Sequence, residues 1–151
     1  MALDLLDKHP RQIYVLPCGS GKSRVAATIA LLLLILKTSV KKIYLIYLND
    51  VLKKKDQEDF QDLWSMMPNA ERVTYHSSIG FTPGPNSVVV LDESDQYCFD
   101  DPIAFQKFVR KTTCVCLTAT CSDDQTGGLE RAVLKKMNFK IFEDLVDGTS
   151  Q

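Results

Sequence analysis

The segment Leu16-Pro17-Cys18-Gly19-Ser20-Gly21-Lys22-Ser23 places small residues, an ammonium and a hydroxyl side by side. That combination suits a polyphosphate. Anion binding needs backbone N–H groups converging on one point, and Gly19 and Gly21 let the backbone approach closely. A helix beginning at about Lys22 would turn its positive end toward the anion. Lys22 could then reach the outer phosphates, and Ser23 could place its hydroxyl on Mg²⁺. Pro17, Cys18, Gly19, Ser20, Gly21, Lys22, Ser23 and Arg24 are thus the expected nucleotide-contacting residues, with ATP and Mg²⁺ as the expected ligands. The plainer reading is a glycine turn between a strand and a helix, which leaves the Lys22-Ser23 pair unexplained.

A second segment, Val88-Val89-Val90-Leu91-Asp92-Glu93-Ser94-Asp95, carries carboxylates at the end of an apolar run. One carboxylate at a strand end can hold Mg²⁺, which favours oxygen ligands and keeps several waters. The neighbouring one can orient and deprotonate a water. Asp92 is the expected metal ligand beside Ser23. Glu93 and Lys22 are the expected catalytic residues. Alone, the pair would read equally well as a solvated loop; downstream of a phosphate loop it has the order of a phosphoryl-transfer site.

The elements that must position these residues alternate along the chain. Ile13–Leu16 predicts a short strand, and Lys22–Leu36 a helix apolar on nearly every face. Ile43–Leu48 is β-branched and aromatic, hence a buried strand. Asn49 or Asp50 can cap a helix over about Val51–Met66. Arg72–Tyr75 and Ser87–Leu91 predict strands, separated by a loop with two glycines and two prolines at Gly80–Asn86. A short helix over Ile103–Arg110, a strand at Cys114–Leu117, a break at Gly127-Gly128, a helix over Leu129–Met137 and a strand at Lys140–Phe142 follow. Near-continuous apolar strands between helices predict an α/β fold with three layers and a mostly parallel sheet. Ligands of such sheets sit beyond the carboxyl ends of the strands, where the marked segments fall.

The 151 residues fit one domain spanning 1–151. A formal net charge of −1 argues against a basic nucleic-acid footprint over the whole domain, though not against a local groove. Cys18, Cys98, Cys114, Cys116 and Cys121 are an odd set, so a poor disulfide framework, and they read as small buried residues in a reducing compartment. The acidic N-terminus is unlike a secretory signal, and the apolar run Ala26–Leu36 is too short to span a bilayer. A cytoplasmic location follows, with peripheral membrane association left open. Lys53-Lys54-Lys55 reads as a solvated helix face. Trp64, Tyr44 and Tyr47 read as core rather than as stacking platforms. Asp123-Asp124 reads as a helix N-terminal pair.

The phosphate segment departs from the strict P-loop pattern, since Leu16 stands where a glycine is usual. Its Pro-x-Gly-x-Gly-Lys-Ser form resembles the helicase-like branch of P-loop proteins. Leu117-Thr118-Ala119-Thr120 looks like the Ser/Thr-Ala-Thr element of superfamily-two helicases and translocases, although a strand end with a capping hydroxyl would look the same. The three segments in order resemble the first RecA-like motor lobe of that superfamily. Tyr47–Glu58 is further similar to a segment of the SecA preprotein translocase motor, with Asn49, Asp50, Leu52, Asp56 and Glu58 matching. Asp92-Glu93-x-Asp95 is similar to SecA's Asp-Glu-Val-Asp. Gly-Ser-Gly-Lys-Ser departs from SecA's usual Gly-Glu-Gly-Lys-Thr toward the helicase form, and the stretch from Asp95 to Leu117 has no room for SecA's inserted crosslinking domain.

The resemblance implies an ATP-hydrolysing motor lobe of SecA type, in which Thr118, Ala119 and Thr120 couple the γ-phosphate to movement between lobes. It also implies a second RecA-like lobe or partner subunit, and a polypeptide or nucleic-acid polymer. The alternatives are the first lobe of a nucleic-acid helicase, or a catalytically weak nucleotide-binding scaffold.

Overall fold

The computed structural model describes residues 5–16, 22–119 and 131–142, and of Leu5, Lys22, Ser23, Asp95, Cys98, Phe99 and Arg131 the backbone alone. A short helix α1 (Leu5–Lys8) precedes strand β1 (Arg11–Val15) and helix α2 (Lys22–Leu36). Strand β2 (Lys42–Ile46) leads to helices α3 (Asp50–Asp59) and α4 (Gln61–Ser65). A 3-10 turn at Ala70–Arg72 opens β3 (Val73–His76), and β4 (Ser87–Leu91) follows. Helices α5 (Ser94–Asp100) and α6 (Pro102–Arg110) lead to β5 (Thr113–Thr118). Helix α7 (Arg131–Lys136) and β6 (Lys140–Phe142) complete the described elements.

The six strands form one sheet in the order β3-β2-β4-β5-β1-β6, and each pairing is parallel. Parallel pairing sends successive strands through crossovers, which places helices on both faces and forces both sides of each strand to be apolar. Side-chain alternation divides the core accordingly. Val88, Val90, Val115 and Leu117 point to one face, where Ala26, Ile29, Ala30 and Leu33 of α2 cover them. Val89, Leu91, Cys114 and Cys116 point to the other, under Phe105, Phe108 and Val109 of α6 and Leu134 of α7. Burying a Leu or Phe side chain fully is worth about 1.5–3 kcal/mol, so these paired layers dominate the stability of the sheet.

Cys114 and Cys116 are wholly buried on one face, as two positions apart on a strand require. The end of α2 is closed by Arg72, whose guanidinium donates to the carbonyls of Leu34 at 3.2 Å, Lys37 at 3.2 Å and Val40 at 3.0 Å. Those include carbonyls that a helix terminus leaves unsatisfied. Among the described residues no helix is long and apolar enough to cross a membrane.

Several boundaries differ from the expected ones. The helix expected over Val51–Met66 is two, broken at Phe60, whose φ of −109° and ψ of 8° lie outside the helical region. The reason is a change of buried face. Along α3 only Asp56 is buried, whereas α4 turns Trp64 inward, where its indole N–H donates to the Tyr75 hydroxyl at 2.8 Å. Tyr47 and Leu48 lie beyond the end of β2, and β3 starts and ends one residue later than expected. Helices α1 and α5 had no counterpart in the sequence reading. Gly127-Gly128, Asp123-Asp124 and the first residues of the helix expected from Leu129 lie outside the described residues.

Candidate nucleotide site

Three strands end together at the carboxyl edge of the sheet. Strand β5 lies between β1 and β4. Val15 is in register with Thr118, and Leu91 with Cys116. Past the end of β1, the Leu16 N–H donates to the Thr118 carbonyl at 2.9 Å. Past the end of β4, the Asp92 N–H donates to the Ile46 carbonyl at 3.0 Å. The entrance to the phosphate segment and the acidic pair are therefore separated by one strand, and that strand ends at Thr118, with Ala119 directly after it. Neighbouring strands lie about 4.8 Å apart, so β1 and β4 deliver their segments about 10 Å from each other.

The acidic pair sits on a strained turn. Glu93 has φ 53° and ψ 46°, the left-handed region that non-glycine residues seldom adopt, at the N-cap of α5. The Asp92 carboxylate compensates locally, with Oδ1 accepting from the Glu93 N–H at 2.9 Å. Ser94 is fully buried and its hydroxyl donates to the Leu91 carbonyl at 2.9 Å, which pins the turn to the strand. The Tyr97 hydroxyl donates to the Tyr47 carbonyl and so ties α5 to the end of β2. Burial, with the Asp92 charge adding to it, pushes the Tyr97 hydroxyl up to about 12, so it stays a protonated donor. Ser94 and Tyr97 escaped the sequence reading. The signal for Ser94 was a small hydroxyl directly after a strand-end acid pair, and nothing local pointed to Tyr97.

The described residues thus bring together Leu16, Asp92, Glu93, Thr118 and Ala119. Helix α2 begins at Lys22, where the phosphate segment requires it. Arg24 is exposed on its first turn. Pro17, Cys18, Gly19, Ser20, Gly21 and Thr120, and the side chains of Lys22 and Ser23, all expected at the site, fall outside the described residues. Thr118 is fully buried at the end of β5. The residues present suit a hydrated Mg²⁺, since Asp92 offers a hard oxygen donor at the strand end.

The remaining marked residues have structural roles. The Asn49 side chain caps α3 by accepting from the Leu52 N–H at 2.9 Å. Lys53 pairs with Asp50 at 3.4 Å, while Lys54 and Lys55 are exposed. Tyr47 is buried, stacked on Tyr75 at 5.8 Å between ring centres. Its hydroxyl lies beside the carboxyl of the buried Asp56.

An all-parallel sheet with helices on both faces, carrying these segments at its carboxyl edge, is an α/β fold of the RecA-like, helicase-domain type. Eight solved chains match this one. One is the helicase domain of Hef from Pyrococcus furiosus, with a TM-score of 0.57 and 16% sequence identity. The match covers 91% of this chain and 36% of that one, so this chain spans about a third of the neighbour's length. No protein-family model and no curated protein matches the chain. The likeness is at the level of fold. It bears on the RecA-like, helicase-domain fold and gives no support to the narrower SecA resemblance.

Proposed function

We propose that this chain is a nucleotide-binding lobe of helicase type, which binds Mg·ATP at the carboxyl edge of its sheet and works with a second lobe on a nucleic-acid strand. The observation that carries this reading is the interposition of Thr118-Ala119 between Leu16 and Asp92, joined to the first by the Leu16–Thr118 hydrogen bond. A segment so placed can respond to what occupies the gap between phosphate loop and acid pair.

In this reading the amides of Cys18–Ser23 and the Lys22 ammonium hold the phosphates. Ser23 and Asp92 hold Mg²⁺, which when bound would neutralise charge on the outer phosphates. Glu93 orients the attacking water and takes its proton. The left-handed backbone at Glu93 fits this role, because strained residues persist where the surroundings over-determine them, often at functional sites. Movement of a polypeptide, as in SecA, has less support. The Asn49-Asp50 pair central to that resemblance acts here as a helix cap and first-turn acid.

The test is calorimetry of Mg·ATP into the 151-residue chain, followed by turnover measured with single-stranded nucleic acid or with an unfolded polypeptide. Saturable, Mg²⁺-dependent binding with nucleic-acid stimulation is expected. Absence of binding overturns the reading. Stimulation by polypeptide alone transfers it to the SecA type, and binding without any stimulation to a scaffold.

A further inference from the structure

On the face of the sheet covered by α6, a cleft of about 260 Å³ opens between that helix and the loop joining β3 to β4. Ile79 and Phe81 from the loop, and Ala104 and Phe108 from the helix, form its apolar wall. Lys107 and Lys111 line it as well, and no acidic residue does among the described residues. Both lysines are exposed, and Ile103, one turn before Lys107, is 66% exposed. The outward stripe of α6 therefore reads Ile103, Lys107, Arg110, Lys111: an apolar residue followed by cations, on a chain whose net charge is −1.

We infer that this cleft is a docking site for an acidic peptide segment of a partner protein, with one apolar side chain in the cleft and flanking carboxylates on Lys107 and Lys111. Charge complementarity selects an anionic partner, and the size and apolar wall select a side-chain anchor. A nucleic-acid strand would need an aromatic face to stack on. Phe81 is committed elsewhere: it stacks on His76 at 4.6 Å and meets Tyr44 at 5.2 Å and Phe108 at 5.6 Å. The cationic end of the cleft lies away from the nucleotide edge. Lys111 lies just before β5 begins, at the amino edge of the sheet, whereas the acidic pair lies at the carboxyl edge.

The test uses the peptide acetyl-Asp-Glu-Leu-Phe-Glu-Asp-amide and backbone amide NMR of the 151-residue chain. The peptide should shift the amides of 79–83 and 103–111. Affinity should fall roughly tenfold in Lys107→Glu/Lys111→Glu, since two exposed attractions become repulsions. It should fall comparably in Ala104→Phe, which fills the cleft, and for a peptide with Ser-Ser in place of Leu-Phe. Circular dichroism of each variant verifies its fold, and the exposed lysines make the charge reversal safe for it. No binding up to millimolar peptide, shifts elsewhere, or indifference to charge reversal in the folded variant would overturn the inference. So would tighter binding of a single-stranded oligonucleotide at the same amides.

Discussion

The Leu16 N–H donates to the Thr118 carbonyl at 2.9 Å, one residue beyond the register of β1 with β5. This bond places the entrance to the phosphate segment directly against the third marked segment. A nucleotide that draws the loop toward itself would load the same backbone that leads to Ala119.

The first prediction concerns the loop itself. Lys22→Ala should weaken Mg·ATP binding by about 1.5–3 kcal/mol, tenfold or more, because a charge-assisted contact to phosphate is lost. Calorimetry measures it, and an unchanged affinity would remove the phosphate-loop assignment.

The acidic pair separates binding from chemistry. Glu93→Gln should leave Mg·ATP affinity nearly unchanged and abolish any hydrolysis stimulated by single-stranded nucleic acid. Asp92→Asn should weaken Mg·ATP relative to metal-free ATP. The reversed pattern in the two variants, side by side, would refute the assigned roles.

Backbone strain at Glu93 gives a prediction of opposite sign for stability. Glycine adopts φ 53° without steric cost, so Glu93→Gly should raise the thermal midpoint, by about 0.5–1 kcal/mol of stability, while removing stimulated turnover. Glu93→Val, β-branched, should lower it. Thermal unfolding followed by circular dichroism distinguishes the two.

Asp56 gives a pH dependence. Burial holds its carboxyl above the ordinary carboxylate range, with Asp59 adding and the Tyr47 hydroxyl and Lys55 opposing. The folded state then binds the proton more tightly than the unfolded chain, whose value is near 3.8. Stability due to this group is greatest below the unfolded pKa and declines as pH rises through the folded one. Asp56→Asn should flatten that decline in urea titrations across mildly acidic pH; an unaltered pH profile would show that the carboxyl titrates normally.

Arg72 holds α2 to β3. Arg72→Met should cost about 2 kcal/mol, since carbonyls of Leu34, Lys37 and Val40 lose charge-assisted donors. A urea midpoint unchanged from the parent would contradict this.

Much of the layout was legible in the residues alone. Lys22–Leu36, Ser87–Leu91 and Lys140–Phe142 form the elements expected of them, because their apolar runs and flanking glycines or acids are local signals. Parallel topology was legible too, since Val88–Leu91 is apolar at successive positions and only a strand covered on both faces permits that. The candidate site residues at Asp92 and Glu93 followed from a strand ending in carboxylates. Tertiary structure alone decided that β5 separates β1 from β4, for lateral order depends on which strands pack together across long sequence separations. It also decided that Tyr97 reaches the Tyr47 carbonyl, that Phe60 breaks a helix to bring Trp64 to Tyr75, and that Phe81 joins His76 and Phe108 beside two lysines. Each of these joins residues that carry no mutual signal in the chain, and burial of apolar surface in two layers is what brings them together.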